Sequence, residues 1–167
     1  RILMSLDMHF KLEGGSITFK GESKHTKHAD EIQVLAWSWG ASQSGSFGHG
    51  AGGGAGKANV QDMSVTKYID KSSTALIKAV VTGDHIGSVV LSISKAGGKQ
   101  EDYFTLTLTS AMITSYSTGG SGGEDMLTEN VTSGFAKVDI EYFAQNDKGA
   151  WAAAGKGGDS VETTVAS

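Results

Sequence analysis

The chain of 167 residues contains no cysteine and no proline. Without cysteine it cannot form a disulfide, an iron–sulfur cluster, a thiolate zinc site or a cysteine nucleophile. It also lacks any apolar run near the roughly 18–20 residues that span a bilayer, so we expect no membrane insertion. The length is that of one domain with a core of its own, and we treat residues 1–167 as a single domain.

Positive charge is also scarce. There are 14 lysine and arginine residues against 18 aspartate and glutamate residues, and the net charge is −4. The positive residues are scattered singly and form no patch. Because nucleic-acid binding depends on Lys and Arg neutralising phosphates, we expect no nucleic-acid partner.

The N-terminus does not read as a signal peptide, because Asp7, His9 and Lys11 interrupt its apolar core. We interpret Met4 as the native start and Arg1–Leu3 as an added remnant. If the protein leaves the cell, we expect it to do so without a classical signal.

Strict alternation of apolar and polar residues over 4–13 predicts a first strand with one buried and one wet face. Its apolar face comprises Met4, Leu6, Met8, Phe10 and Leu12. Similar patterns predict strands over 31–39, 59–69, 88–95, 104–109 and 138–142.

The segment 31–39 carries two further signals. Its apolar phase shifts between Val34 and Leu35, which predicts a bulge or a segment covered on both faces. Trp37 and Trp39 share one side, and Ser38 lies on the other.

One segment follows a helical period instead. Leu76, Ile77, Val80 and Val81 recur at spacings of one, three and four, which predicts a short helix over about residues 73–82. Ser72 or Ser73 is the expected N-cap, and Gly83 follows the last turn. The fold is therefore predicted to be mainly β, with seven to nine strands and one helix in a sandwich or barrel.

Three segments of the sequence partly match known nucleotide-binding or catalytic motifs. Residues Gly48–Gly53 match the glycine pattern of a dinucleotide-binding fingerprint. That fingerprint requires a helix directly after it, whereas a strand is predicted here. A P-loop ending at Lys57 lacks its first glycine and its hydroxyl residue. Ser121 fits the pattern of a nucleophile elbow, but no histidine occurs after His85 to complete a triad. We expect no catalytic residue and no cofactor.

The remaining polar groups are interpreted as surface. His25 and His28 are expected in a solvated loop, and His9, His49 and His85 on ordinary surface, so no metal site is predicted. The pairs Glu101–Asp102 and Glu124–Asp125 adjoin glycine turns. Adjacent strand residues point to opposite faces, so neither pair is expected to form an acid–base couple.

An ordered set of segments over residues 4–143 resembles the haemolysin-coregulated protein (Hcp) family, the tail-tube component of bacterial type VI secretion. The matching segments are residues 21–23, 31–32, 37–40, 55–57, 67–73, 95–98, 117–125, 128–131 and 135–136. Thr74 stands where the family often has proline. Residues 148–167 match poorly, and we expect a mobile tail there.

The resemblance implies a flattened β-barrel of two sheets with a helix at its side, and neither catalytic residues nor a cofactor. It implies that six subunits form a ring and that rings stack into a tube, which a contractile sheath fires. The implied partners are copies of the chain itself and the sheath, spike and effector proteins. The ring would hold effector cargo in its lumen, assemble in the bacterial cytoplasm, and then be secreted to the extracellular space or a target cell.

Two glycine-rich segments, Gly45–Lys57 and Gly119–Asp125, are the expected contact loops between subunits or rings. The glycine-rich part of the first segment, Gly45–Gly56, has twelve residues and is longer than most hairpin loops. Ser38 is expected to face the lumen or a subunit interface. The candidate contact residues on the two loops are Phe47, His49, Gly53, Lys57, Ser121, Glu124 and Asp125.

Two alternatives stay open on the residues. A carbohydrate-binding jelly-roll module would use Trp37, Trp39 and Trp151 as exposed stacking platforms, whereas core tryptophans would be buried. A hydrolase would be centred on Ser121.

Overall fold

Ten strands and one helix form within the residues that the computed structural model describes, 5–45, 55–96 and 100–160. They are β1 (Leu6–Glu13), β2 (Ile32–Gln33), β3 (Ala36–Ser38), β4 (Ala41–Gly45), β5 (Ala55–Val60), β6 (Met63–Tyr68), α1 (Ser73–Thr82), β7 (Ile86–Lys95), β8 (Asp102–Gly119), β9 (Thr128–Gln145) and β10 (Trp151–Ser160). Within these ranges no helix is long and apolar enough to cross a membrane.

The strands form one large sheet and one small one. The large sheet has eight strands in the order β2-β1-β7-β8-β9-β6-β3, and β10 also pairs with β9. The second sheet contains only β4 and β5. All pairings are antiparallel, and the large sheet curls into a half-barrel. The prediction of a mainly β fold of two sheets with one helix is confirmed.

Two neighbouring residues, Val34 and Leu35, connect β1 near one margin of the curled sheet to β6 near the other margin. The Val34 N–H donates to the carbonyl of Met8 in β1 at 3.0 Å, and the Leu35 N–H donates to that of Thr66 in β6 at 2.8 Å. The chain therefore crosses from one margin of the sheet to the other at the point where the apolar phase shifts. The expected single strand over 31–39 is divided here into β2 and β3.

The interior follows the alternation of the strands. Phe10 and Leu12 of β1 and Leu106 and Leu108 of β8 are buried, as their apolar phase predicts. Strand β7 is covered on both faces over its last residues, because Ser92 and Ser94 are buried as well as Leu91 and Ile93. The core lies between the curled sheet and α1.

The helix α1 lies against β8 and buries Leu76 and Ala79. Gly83 adopts φ 65°, a conformation that favours glycine, and its N–H donates to the Ala79 carbonyl at 3.0 Å. Ser72 occupies the N-cap position, but its hydroxyl makes no capping bond and donates to Asp70 instead. The predicted N-cap position is therefore confirmed, whereas a side-chain capping hydrogen bond is not formed there.

Several boundaries differ from prediction. The expected strand over 59–69 is interrupted at Gln61–Asp62, and β8 and β9 extend to 18 residues each. Residues 151–160 of the expected tail form β10, which pairs with β9. Residues 161–167 lie outside the described part of the chain.

Candidate functional site

The hairpin of β4 and β5 is the base of the first expected contact loop. Its register runs from Ala41 opposite Val60 to Gly45 opposite Ala55, and it pairs with no other strand among the described residues. The predicted residues Phe47, His49 and Gly53 lie outside the described part of the chain. The backbone of Lys57 lies in β5.

The second expected contact loop connects the two longest strands. Ser121, Glu124 and Asp125 are all exposed there, and the Glu124 N–H closes a turn on the Ser121 carbonyl at 3.2 Å. Strand β9 follows this turn, so the strand-to-helix geometry that a nucleophilic serine needs is absent at Ser121. Met126 and Leu127 leave about half of their side-chain surface exposed at the same end of the molecule, 55% and 48%.

Ser38 and its neighbouring tryptophans lie on opposite faces of β3. Ser38 is exposed and pairs with Ser64 of β6. Trp37 and Trp39 are half-buried and pack on the core, and the Trp37 ring lies 5.7 Å from that of Phe104. Trp151 is also half-buried, 6.4 Å from the Tyr103 ring. The exposed platforms expected of a carbohydrate module are not formed.

A buried ion pair joins the two strands that flank this end of the molecule. Lys67 of β6 and Glu129 of β9 are directly opposite in register, and both are 0% exposed. The Lys67 ammonium contacts the Glu129 carboxylate and lies 3.1 Å from Asp70 Oδ1. Because two charges removed from water must be paired and hydrogen-bonded, the remaining partners decide whether this pair is tolerated.

Hydroxyl groups supply those partners. The Ser73 hydroxyl donates to Glu129 Oε1 at 2.8 Å, and the Tyr116 hydroxyl donates to the other carboxylate oxygen. Burial, followed by the bond to Glu129, raises the pKa of Tyr116 to about 12. The network thus ties the start of α1 to β6, β8 and β9.

The alternation of residues did contain a signal for this network. Lys67 follows Met63 and Val65 on the buried face of β6, and Glu129 precedes Val131 on the buried face of β9. A charged residue in the apolar phase of each of two paired strands predicts a buried ion pair.

Three histidines form a second polar cluster, contrary to the surface positions expected for them. The rings of His9 and His28 are stacked, with centroids 4.6 Å apart, and the His25 ring lies 4.9 Å from His9 and 5.2 Å from His28. His9 and His28 are 3% and 6% exposed. The expectation is wrong because the segment 21–31 places His25 and His28 against His9 of β1.

The carboxylates of this cluster come from β8 and from the covering segment. Asp102 lies 2.9 Å from His28 Nε2, and Glu101 lies 3.5 Å from Lys27 Nζ. Glu101 and Asp102, interpreted from the sequence as surface groups, thus both contact residues of segment 21–31. Among the described residues no group of three or more His, Cys, Asp or Glu is arranged to hold a metal ion.

A curled antiparallel half-barrel with one flanking helix and a separate hairpin defines the class of the fold. The family model for "Type VI secretion system effector, Hcp" matches residues 9–142. The chain belongs to the Hcp family and is a type VI secretion protein, as its segments predicted.

Individual relatives agree with this assignment. Protein hcp1 of Pseudomonas aeruginosa is 55% identical over 148 residues, which cover 88% of this chain and 89% of that protein. A solved type six secretion system protein is 29% identical, with a TM-score of 0.86 over 96% of this chain and 98% of the other. Hcp1 of Salmonella typhimurium is 28% identical, with a TM-score of 0.73 over 96% and 97%.

Proposed function

We propose that the chain is a structural subunit without catalytic activity. Six copies form a ring, and rings stack into the inner tube of a bacterial type VI secretion system. The ring holds effector cargo in its lumen and is exported with it, from the cytoplasm to the extracellular space or a target cell. Its partners are further copies of itself and the sheath, spike and effector proteins, with neither nucleic acid nor membrane insertion involved.

The observation that carries this proposal is the hairpin of β4 and β5. A two-stranded ribbon is marginal in water unless it packs against something else. This ribbon pairs with no other strand in the described ranges, so a second copy of the chain is the surface that would stabilise it. Family membership supports the same reading.

The contact residues follow from that placement. Phe47, His49 and Gly53 fall in the sequence between β4 and β5, Lys57 lies in β5, and Ser121, Glu124 and Asp125 belong to the β8–β9 loop. We assign both loops to contacts between subunits or between rings. The assembly itself is tested by light scattering of the eluting protein and by negative-stain electron microscopy. Monomer alone at high concentration, with no rings in the images, would refute the proposal.

Deleting Gly48–Gly54 is expected to weaken stacking while leaving the subunit folded, because the hairpin contributes nothing to the main sheet. Circular dichroism should show the wild-type β spectrum of a folded subunit, and microscopy should show single rings or free subunits in place of stacks. A control variant with seven serines in place of Gly48–Gly54 keeps the length of the loop. It shows whether the deletion acts by shortening the loop or by removing its side chains. Unfolding of the deleted subunit would contradict this assignment.

Ser38 is expected to face the lumen or a subunit interface, and a single thiol tests this because the chain has no cysteine. Ser38→Cys should react with a bulky maleimide about tenfold more slowly in assembled rings than in dissociated subunits, since a protected site reacts only during transient opening. Val81, at 78% exposure, provides the comparison position for a surface thiol. Equal rates for Ser38→Cys in both states would exclude the assignment.

A further inference from the structure

The histidine cluster lies beneath residues 21–31, which we name the cover segment. Its ends are tied by backbone bonds, with the Gly21 N–H donating to the Asp30 carbonyl at 2.8 Å and the Asp30 N–H to the Ser23 carbonyl at 2.9 Å. A Cβ at position 21 would lie 2.3 Å from the Glu31 carbonyl oxygen, so this closure requires glycine there. The cover segment is thus a closely fitted loop over the polar face of β1.

Hydrogen bonds define which histidine carries charge. His28 Nδ1 lies 2.7 Å from Glu31 Oε2, and its Nε2 lies 2.9 Å from Asp102 Oδ1. Ionised carboxylates only accept hydrogen bonds, so both ring nitrogens donate and the His28 ring is an imidazolium. The Nδ1 atom of His25 accepts a weaker hydrogen bond from the Lys27 N–H at 3.3 Å, within the cover segment itself.

His9 is the member least able to accept a proton. It stacks almost parallel to the His28 cation, at an interplanar angle of 12°. His9 Nδ1 and His25 Nε2 are both buried with no hydrogen-bond partner among the described residues, so a proton added at His9 gains no acceptor.

The surrounding charges do not compensate for a second cation. Burial, then His28 and His25, lower the pKa of His9 from 6.5 to about 4, against the opposing effect of Asp7 and Asp102. The other charged groups facing the cluster are already engaged: Glu31 with His28, and Lys27 of the cover segment with Glu101, which directly precedes β8.

We propose that His9, His25 and His28, with Glu31 and Asp102, form an acid-sensitive latch that holds the cover segment over β1. The latch is closed while His9 is neutral, and it opens when His9 is protonated beside the His28 ring. The folded pKa of His9 lies below its unfolded value, so its stabilising effect is complete above pH 6.5 and is lost as the pH falls toward 4. This role is independent of ring formation.

A thiol in the cover segment measures the opening directly, because the chain has no cysteine of its own. Ser23 is 3% exposed, and Ser23→Cys should react with dithiodipyridine about 70-fold faster at pH 4.5 than at pH 7.5, after correction for a free thiol at each pH. Ser133→Cys, at a position 0% exposed in β9, reports global unfolding and should stay unreactive. Equal acid activation of both thiols would mean general unfolding and would overturn the latch.

A second variant identifies the responsible group. His9→Phe keeps an aromatic ring in the stack but cannot take a proton, so in the Ser23→Cys background it should remove nearly all of the roughly 70-fold acid activation. His85→Gln removes an exposed histidine outside the cluster and should change nothing. In the unmodified protein, the NMR signal of the His9 ring should titrate with a midpoint below pH 5. A midpoint near 6.5, or undiminished activation in His9→Phe, would exclude the mechanism.

Discussion

Replacing Glu129 with glutamine is expected to lower the free energy of unfolding by about 3–5 kcal/mol. The substitution keeps the size of the side chain but leaves the Lys67 ammonium, 0% exposed, opposite a neutral amide. Asp70, 3.1 Å from the ammonium, is then the only carboxylate still in contact with Lys67 among the described residues. The cost arises because the Lys67 ammonium is removed from water and keeps only one of its two carboxylate partners.

Urea denaturation of subunits in one oligomeric state measures this effect, because assembly itself shifts apparent stability. Lys11→Ala is the matched control: it breaks the Lys11–Glu13 pair of 2.6 Å, which is exposed to solvent, and should cost less than about 1 kcal/mol. The double variant Lys67→Met, Glu129→Leu should recover part of the loss, since both members of the buried pair are removed together and Asp70 keeps its hydrogen bonds from Ser72. Glu129→Gln within 1 kcal/mol of wild type would show that the pair contributes little.

Truncating Phe10 to alanine is expected to cost about 3–5 kcal/mol in unfolding free energy. Phe10 is 0% exposed and is paired in register with Ile32 of β2 and Leu91 of β7. Removing the ring loses its transfer free energy and leaves a cavity where three strands meet. The surrounding strands cannot close it without moving the ladder on both sides of β1.

Leu6→Ala is the comparison for this truncation, since Leu6 lies on the same strand in the same phase but is 48% exposed. It should cost less than about 1 kcal/mol, because little apolar area is removed from the interior. Urea curves with equal slopes would show that only stability has changed. Similar losses for the two variants would indicate that β1 is held by its hydrogen bonds and not by the packing of Phe10.

Local sequence patterns were sufficient to predict most of the fold. The period of two placed Phe10 and Leu12 in the core, and the period near 3.6 placed α1 between Ser73 and Thr82. The phase shift between Val34 and Leu35 predicted a bulge or a segment covered on both faces. Instead the chain leaves one margin of the sheet for the other at this point, and Leu35 is 41% exposed. Each of these signals lies within a few residues.

The full length of the two long strands was missed for a physical reason. Ser110 has a φ of 52°, and the β8–β9 register shifts again between Ile113 and Ser115. Each irregularity reverses which residues face the core, so the simple alternation seen up to Thr109 stops there. The continuation of β8 to Gly119 depends on its pairing with β9, which no local pattern contains.

The two polar clusters differ in how far they could be foreseen. Lys67 and Glu129 stand in the apolar phase of their strands, so the sequence contained a signal that was not used. The histidine cluster had none, because His9, His28 and Asp102 come from three distant segments and only the fold of residues 21–31 brings them together. His9 sits in the polar phase of β1, which favoured the wrong interpretation.

The pairing of β1 with β7 has a consequence for how the chain matures. Glu13 is opposite Ser88, so everything from β2 to α1 must be made before β1 can complete its ladder. Until then a nascent chain presents Met8, Phe10 and Leu12 on a strand whose β7 edge is unpaired, which is an aggregation hazard during synthesis. Closing so long a loop is slow, whereas the absence of proline removes isomerisation as a competing delay. The rate at which the ribosome releases β7 therefore sets how long the first strand stays vulnerable.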